Sequence, residues 1–235
     1  MDKSELFLKK YKELEAAIRA EYPGARDDER SPVLILSRSP EFRSSRPMLD
    51  LCRDLRNLLT HNTTVDGRYG VYPDDALLSF LDRMIGAVKS PAAARDICVP
   101  RERILCVGLD GLVMPVLRKM RELFYSHVPI VENGIVTGVF SENSVLTCLV
   151  DGIAPFGEDV TFRDIEKYLA FDVSRAESYR FVSGYERVSS IIDTFESATE
   201  KKDRVGMIFV TKNGMRDGEL EGIITAWDVA SRADQ

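Results

Sequence analysis

The residue pair with the clearest chemical potential is Thr225 and Asp228, within the segment 222–229. Apolar residues before Thr225 predict a strand, and the residues after it predict a helix, so Thr225 lies at the junction. Its hydroxyl can cap free amides at the helix start or donate to a phosphate there. Asp228 follows one turn later on the same side of the helix, where a carboxylate can accept both hydroxyls of a ribose. The same two residues can also form a plain helix cap.

A second segment, residues 138–145, aligns with residues 222–229 and carries a weaker version of this pair. Ser141 keeps the hydroxyl, but Ser144 replaces the carboxylate and cannot offer a charged acceptor to a diol. Gly138 and Gly222 fall at matching places in the predicted strands, where glycine lets a ligand or a backbone approach closely. We therefore expect the first of the two sites to be weaker, empty or used for another ligand.

Arg56 and His61 form a third candidate pair, near the end of a predicted helix. An arginine can hold a phosphodiester, and a histidine can act as a general acid or base near neutral pH. Their spacing of five residues corresponds to about 140° around a helix, so they do not share one tight face. The simpler interpretation is that both residues are cations that stabilise the negative C-terminal end of the helix dipole.

The elements that hold the first two pairs repeat in the order strand–helix–strand–strand–helix. An Asn-Gly step at Asn133 predicts a hairpin between two of these strands. The first copy is predicted as strand 104–107, helix 112–124, strands 128–131 and 135–140, and helix 143–149. The second copy is predicted as strand 179–182, helix 187–195, strands 207–211 and 222–225, and a helix from Ala226.

The first 90 residues have a different, mostly helical pattern. Apolar spacing predicts helices over residues 4–21 and 48–61, and a third helix through Val88 that begins at Asp74 or Asp75. A short apolar run at residues 33–36 is a weak strand candidate. Lys89-Ser90-Pro91 is typical of a domain boundary.

Composition limits the possible classes of protein. The chain has 235 residues, 44% of them apolar and 30% charged, with a formal net charge of −6. These values exclude a disordered chain, and no stretch reaches the roughly 18 apolar residues of a membrane-spanning helix. Residues 1–90 hold 15 basic and 15 acidic residues, whereas residues 91–235 hold 17 and 23. The acidic C-terminal part does not attract a nucleic-acid backbone.

The four cysteines are scattered along the chain, and no secretory signal is present. This favours free thiols in a cytoplasmic protein. The chain has two histidines, which are too few for a histidine-rich metal site.

The repeat resembles a tandem pair of CBS domains, known as a Bateman module, over about residues 92–232. Each unit of that family ends in Gly-[Val/Ile]-[Val/Ile]-[Thr/Ser]-x-x-[Asp/Asn], and GIITAWDV is a full match. The resemblance implies an α+β fold with two βαββα repeats, residues 91–155 and 156–235, after a helical domain of residues 1–90. It implies a homodimer and a regulatory adenosine ligand, AMP, ADP, ATP or S-adenosylmethionine, with no catalytic cofactor or metal. The implied ligand-binding residues are Gly222, Ile224, Thr225, Asp228, Gly138, Ser141 and Ser144.

The segment Arg56-Asn57-x3-His61 is similar to the Arg-x4–6-His motif of HEPN domains, which are small helical bundles. Some members of that family are ribonucleases in which Arg and His from two protomers converge on a phosphodiester. The sequence therefore leaves two functions open. One is a regulatory ligand sensor, and the alternative is a nucleotide-regulated, metal-independent ribonuclease that uses Arg56 and His61 on RNA.

Overall fold

The computed structural model describes residues 2–22, 31–61, 69, 71–172, 177–200 and 203–233 of the chain. The chain divides into two compact units, Met1–Ala92 with Arg232–Gln235, and Ala93–Ser231. The described part of the first unit is mostly helical, whereas the second combines helices with strands. The predicted α+β fold with a helical N-terminal region is therefore confirmed.

Four α-helices form the described part of the first unit. They are α1 (Lys3–Glu21), α2 (Pro32–Arg38), α3 (Arg46–His61) and α4 (Asp75–Lys89). The amphipathic pattern predicted for α1 is confirmed because its apolar stripe is fully buried in the core of the unit. That stripe consists of Phe7, Tyr11, Leu14 and Ile18.

The strand predicted at residues 33–36 is wrong, because these residues lie in α2. Pro32 is the first residue of this helix. An N–H at that position has no acceptor within the helix, so proline, which lacks the N–H, costs no hydrogen bond there. Val33, Leu36 and Ser37 are buried, and their spacing of three and four residues is that of a helix face. A run of four apolar residues is too short for hydrophobicity alone to distinguish helix from strand.

Asp74 is the N-cap residue of helix α4. Its carboxylate accepts a hydrogen bond of 2.8 Å from the backbone N–H of Leu77. The neighbouring Asp75 instead pairs with Lys3 on α1, and both side chains of that pair are exposed. The structure thus decides between the two cap candidates of the sequence in favour of Asp74.

We expect Asp74→Ala to lower the free energy of unfolding by about 1 kcal/mol, because an orphan N–H at the helix start loses its acceptor. Asp75→Ala is the matched control and should lose at most about 0.5 kcal/mol, since an exposed ion pair contributes little. Urea denaturation followed by circular dichroism measures both. Equal losses in the two variants would contradict the cap assignment.

The second unit contains the remaining elements. They are α5 (Ala94–Ile97), β1 (Val99–Pro100), α6 (Val113–Leu123), β2 (His127–Glu132), β3 (Ile135–Ser141), α7 (Glu142–Val150), β4 (Ser178–Ser183), α8 (Val188–Glu200), β5 (Val205–Thr211), β6 (Leu220–Ile224) and α9 (Ala226–Ala233). Short 3-10 helices occupy Arg101–Arg103 and Arg163–Tyr168.

The described strands form two sheets. One has the order β1-β6-β5-β4, in which β4 and β5 are parallel and the other neighbours are antiparallel. The other sheet is the antiparallel hairpin of β2 and β3. Asn133 and Gly134 turn this hairpin with φ angles of 51° and 83°, which the Asn-Gly step predicts.

The strand predicted at residues 104–107 is wrong, because only Val107 pairs with a neighbour, through a single parallel bridge to Ile130. The N–H of Val107 donates to the carbonyl of Pro129, and its carbonyl accepts from the N–H of Val131. Instead, β1 from the start of the second unit takes the edge position beside β6. An apolar run of four residues cannot show which strand, if any, will receive its hydrogen bonds.

Two apolar clusters support these sheets. Val113, Ile130, Phe140 and Phe162 belong to the first, around α6 and the hairpin. The second surrounds β4–β6 and contains the stacked rings of Phe181 and Phe209. Within the ranges that the structure describes, no helix is long and apolar enough to cross a membrane.

Candidate ligand-binding cleft

A cleft of about 430 Å³ opens in the second unit, where β5 begins and where β6 passes into α9. We call it the Thr225 cleft, after the residue at its strand-to-helix junction. Its aliphatic lining includes Val99, Ile104, Leu105, Val205, Met207 and Ile223. Its polar and charged lining consists of Arg103, Ser126, His127, Arg204, Thr225 and Asp228. Both members of the principal predicted pair therefore line one cavity of a size suited to a small molecule.

Thr225 and Asp228 are hydrogen-bonded to each other. Oδ2 of Asp228 accepts from the backbone N–H of Thr225 and from its hydroxyl, each at 2.7 Å. This arrangement caps the first turn of α9 and fixes the rotamer of the carboxylate at the wall of the cleft. The plain cap that the sequence left open is thus present, and it holds the carboxylate in place beside the cavity.

Three aromatic side chains line the same cleft. Phe124, at the C-terminal end of α6, is 94% exposed, and Trp227 on α9 is 83% exposed. Tyr125 is the third. Aromatic faces in this position can stack on a planar base. Sequence reasoning did not assign Phe124 or Tyr125 to the site, because they come from the other repeat.

The corresponding pair of the first repeat is buried. Ser141 is 2% exposed and Ser144 is 6% exposed, and their hydroxyl and N–H groups form a reciprocal cap at the start of α7. The hydroxyl of Ser144 also lies 3.4 Å from the carbonyl of Val139. The structure therefore places Ser141 and Ser144 inside the protein and apart from the Thr225 cleft.

The two strand glycines accommodate the protein's own atoms. A Cβ on Gly138 would lie 2.5 Å from the carbonyl oxygen of Leu169, and one on Gly222 would lie 2.7 Å from the sulfur of Cys98. Ile224 is fully buried. The sequence left open whether a ligand or a backbone approaches the strand glycines closely. At Gly138 it is the backbone of Leu169 that does so.

A polar cluster next to the cleft was missed by sequence reasoning. We call it the Glu177 cluster; it consists of Ser126, His127, Glu177, Tyr179 and Arg204. Nε2 of His127 lies 2.9 Å from the Glu177 carboxylate, and Nδ1 lies 2.7 Å from the Ser126 hydroxyl. Glu177 is 50 residues from His127, so no local spacing could reveal the pair. His127 lies at the start of β2, and its ring is the nearest partner of this buried carboxylate.

The Glu177 side chain is 2% exposed, and two further groups approach it. Nε of Arg204 lies 3.7 Å from Oε1, and the Tyr179 hydroxyl lies 3.4 Å from Oε2. Burial opposes ionisation of Glu177, but the contacts with His127, Asn143 and Arg204 outweigh it and hold its pKa below the usual range. The same burial, together with the negative Glu177, raises the pKa of Tyr179. Glu177 is therefore an ionised carboxylate held inside the unit.

Arg56 and His61 lie on helix α3 of the first unit. The Arg56 guanidinium sits 6.0 Å from the ring centre of Tyr11 and donates to the Asn57 side chain at 3.1 Å. His61 is exposed at the last position of the helix. These contacts engage Arg56 within its own unit, and the similarity to HEPN domains is not confirmed. A ribonuclease role for the pair stays a prediction.

Residues 94–151 match the family model of the CBS domain. The match covers most of the first predicted repeat, from α5 through α7. The assignment of residues 156–235 as a second CBS domain, and the boundary at residue 155, stay predictions. No curated protein matches the sequence.

Several solved structures of CBS-domain proteins are similar to this chain at low level. CBSX2 in complex with AMP shares 20% identity with a TM-score of 0.44, over 61% of this chain and 97% of that one. The CBS domain of the bacterial CNNM/CorC family Mg2+ transporter in complex with ATP shares 19% identity with a TM-score of 0.44, over 61% and 87%. A hemolysin-like CBS protein of Oenococcus oeni PSU shares 16% identity with a TM-score of 0.43, over 62% and 92%. Similarity at this level transfers no ligand to the present chain.

Proposed function

We propose that this protein is a regulatory ligand sensor that binds an adenosine-containing ligand, AMP, ADP, ATP or S-adenosylmethionine, in the Thr225 cleft. The observation that carries the proposal is the cavity of about 430 Å³ whose wall contains both Thr225 and Asp228. Its apolar floor suits a base, and its hydroxyl and carboxylate suit a ribose or a phosphate. The match of residues 94–151 to the CBS domain model supports the proposal, because the resemblance to that family implies a regulatory adenosine ligand.

The proposed site is a single cleft in the described part of the CBS region. The Thr225 cleft is open, whereas Ser141 and Ser144 are buried at the matching position. Occupancy would shift the protein between two arrangements for which the ligand has different affinities. We propose that the helical N-terminal domain or a homodimer of the cytoplasmic protein carries that signal.

Asp228→Asn tests the site most directly. Asparagine keeps an oxygen that can accept from the N–H of Thr225, but it removes the charge that a ribose diol would meet. We expect AMP or ATP to bind about tenfold more weakly to this variant, the loss of one charge-assisted hydrogen-bonded contact. Isothermal titration measures the affinity. Trp227, the only tryptophan of the chain, lines the cleft and gives a second signal by fluorescence.

Two further variants make this test specific. Asp193→Asn makes the same change at an exposed position on α8, outside the cleft, and should leave the affinity unchanged. Asp228→Ala removes the cap as well as the charge, so it should lose both binding and about 1 kcal/mol of stability. Unchanged nucleotide binding by Asp228→Ala would show that the Thr225 cleft is not the ligand-binding site.

A further inference from the structure

The charges around the Thr225 cleft differ in sign from those of the surrounding region. Two arginines, Arg103 and Arg204, line the cavity, against one carboxylate, Asp228. Residues 91–235 as a whole carry 17 basic and 23 acidic residues. The buried Glu177 beside Arg204 offsets part of this charge, so the positive charge is concentrated at the two exposed guanidinium groups, which attract anions locally while the acidic remainder of the region repels them.

Arg204 is positioned by the Glu177 cluster. Its Nε lies 3.7 Å from Oε1 of the buried Glu177, although its side chain is 73% exposed. A buried carboxylate at this distance favours one orientation of the guanidinium before any ligand arrives. The guanidinium is planar and carries five donors, so it can contact the carboxylate and a further anion together.

The remaining polar groups of the cleft also suit an anion. The Ser126 hydroxyl and the backbone at the start of α9 border the same cavity. Ser126 is bonded to Nδ1 of His127, whose other nitrogen faces Glu177. The cluster therefore orders Ser126, His127 and Arg204 along one side of the cleft.

We propose that the Thr225 cleft selects adenosine compounds that carry phosphate groups over uncharged nucleosides and over S-adenosylmethionine. This inference rests on the proposed function, and it chooses among the ligands that the sequence left open. Phosphate oxygens form charge-assisted, two-pronged hydrogen bonds with a guanidinium. S-adenosylmethionine carries one carboxylate together with a sulfonium and an ammonium group, so its net charge is positive and two arginines favour it less than a phosphate. AMP, ADP and ATP present negative charge to the same groups.

Titration of the 235-residue chain with adenosine, AMP, ATP and S-adenosylmethionine tests the inference. We expect ATP to bind about tenfold more tightly than adenosine, with AMP between them, because each well-placed charged contact strengthens binding by roughly that factor. The advantage of ATP should shrink as salt is raised from low to high concentration, since the contacts are partly exposed. S-adenosylmethionine should bind no more tightly than adenosine.

Arg103→Ala and Arg204→Ala test whether these two arginines cause the preference for ATP over adenosine. Each should weaken ATP about tenfold and leave adenosine within about twofold, which also shows that the altered cleft is still folded. Arg118→Ala is the matched control, because Arg118 pairs with Glu158 and does not line the cleft. It should change neither affinity.

The outcomes separate this inference from the proposed function. If adenosine, ATP and S-adenosylmethionine bind equally, or if Arg118→Ala weakens ATP as much as Arg103→Ala does, phosphate selection is wrong and the adenosine site stands. If S-adenosylmethionine binds most tightly, the selection is reversed and the inference is overturned. If none of the four compounds binds, both the inference and the proposed function fail.

Discussion

Replacing His127 with alanine is expected to lower the free energy of unfolding of the second unit by about 3–5 kcal/mol, the usual cost of leaving a buried charge without its hydrogen-bonded partner. The loss arises because Glu177 keeps its charge inside the protein without the donor at 2.9 Å. Arg204 at 3.7 Å and the Tyr179 hydroxyl at 3.4 Å compensate only in part. Urea denaturation monitored by circular dichroism and by Trp227 fluorescence measures the change.

Two companion variants identify Glu177 as the source of the loss. His61→Ala changes the other histidine of the chain, which is exposed on α3, and should stay within about 0.5 kcal/mol of the parent. Adding Glu177→Gln to His127→Ala removes the stranded charge and should recover part of the stability. A double variant as unstable as His127→Ala alone would show that the ring is needed for packing and not for charge.

The pH dependence of the same variant has a definite sign. In the parent protein the pKa of Glu177 lies below its ordinary value of 4.5, so its stabilising contribution is present above that pH and is lost as the pH falls through the lowered pKa. Burial is already the largest single influence on this pKa, and the contacts with His127 are the largest of those that lower it. Removing His127 therefore raises the pKa of Glu177 relative to the parent, and ionisation stabilises the variant less than the parent as the pH rises. The difference in stability between variant and parent should therefore be larger at pH 7 than at pH 4. A difference that stays constant with pH would contradict this account.

The second large effect is expected at Gly138. An added Cβ would lie 2.5 Å from the carbonyl oxygen of Leu169, a backbone atom that accepts a 2.8 Å hydrogen bond from the N–H of Val139. A backbone cannot withdraw as the end of a flexible side chain does. We expect Gly138→Ala to destabilise the second unit by about 2–4 kcal/mol, in the range of overpacking combined with a lost buried hydrogen bond.

Gly86 provides the matched control for this substitution. It lies within helix α4, and a Cβ there would have no atom within 4 Å. Gly86→Ala should therefore stabilise the first unit by about 0.5–1 kcal/mol, the ordinary difference between alanine and glycine in a helix. Circular dichroism during urea denaturation follows both variants. A Gly138→Ala protein as stable as the parent would show that the segment at Leu169 can move aside.

Much of the local structure could be predicted because it depends on neighbouring residues. The Asn133-Gly134 hairpin, the stripe of α1 and the serine cap of α7 each follow from a turn preference, a helical period or a side-chain acceptor within a few positions. Sequence also placed Thr225 and Asp228 at one strand-to-helix junction, which is where the structure has them. The run at residues 33–36 was misjudged because four apolar residues fit either period, and the run at residues 104–107 because apolar character does not show whether a neighbouring strand will pair with it.

By itself, the sequence determined the hairpin at Asn133-Gly134, the helical character of the first unit and the Thr225–Asp228 pair, since each is encoded over a few to some tens of residues. The second CBS domain stays a prediction. The tertiary structure alone decided that β1 joins the sheet of the second repeat, beside β6. It also decided that Arg103, Phe124 and Arg204 share a cleft with Thr225, and that His127 meets Glu177. These groups lie tens to more than a hundred residues apart in the chain. Their meeting depends on how strands pair and pack, and no local pattern of charge or hydrophobicity specifies that.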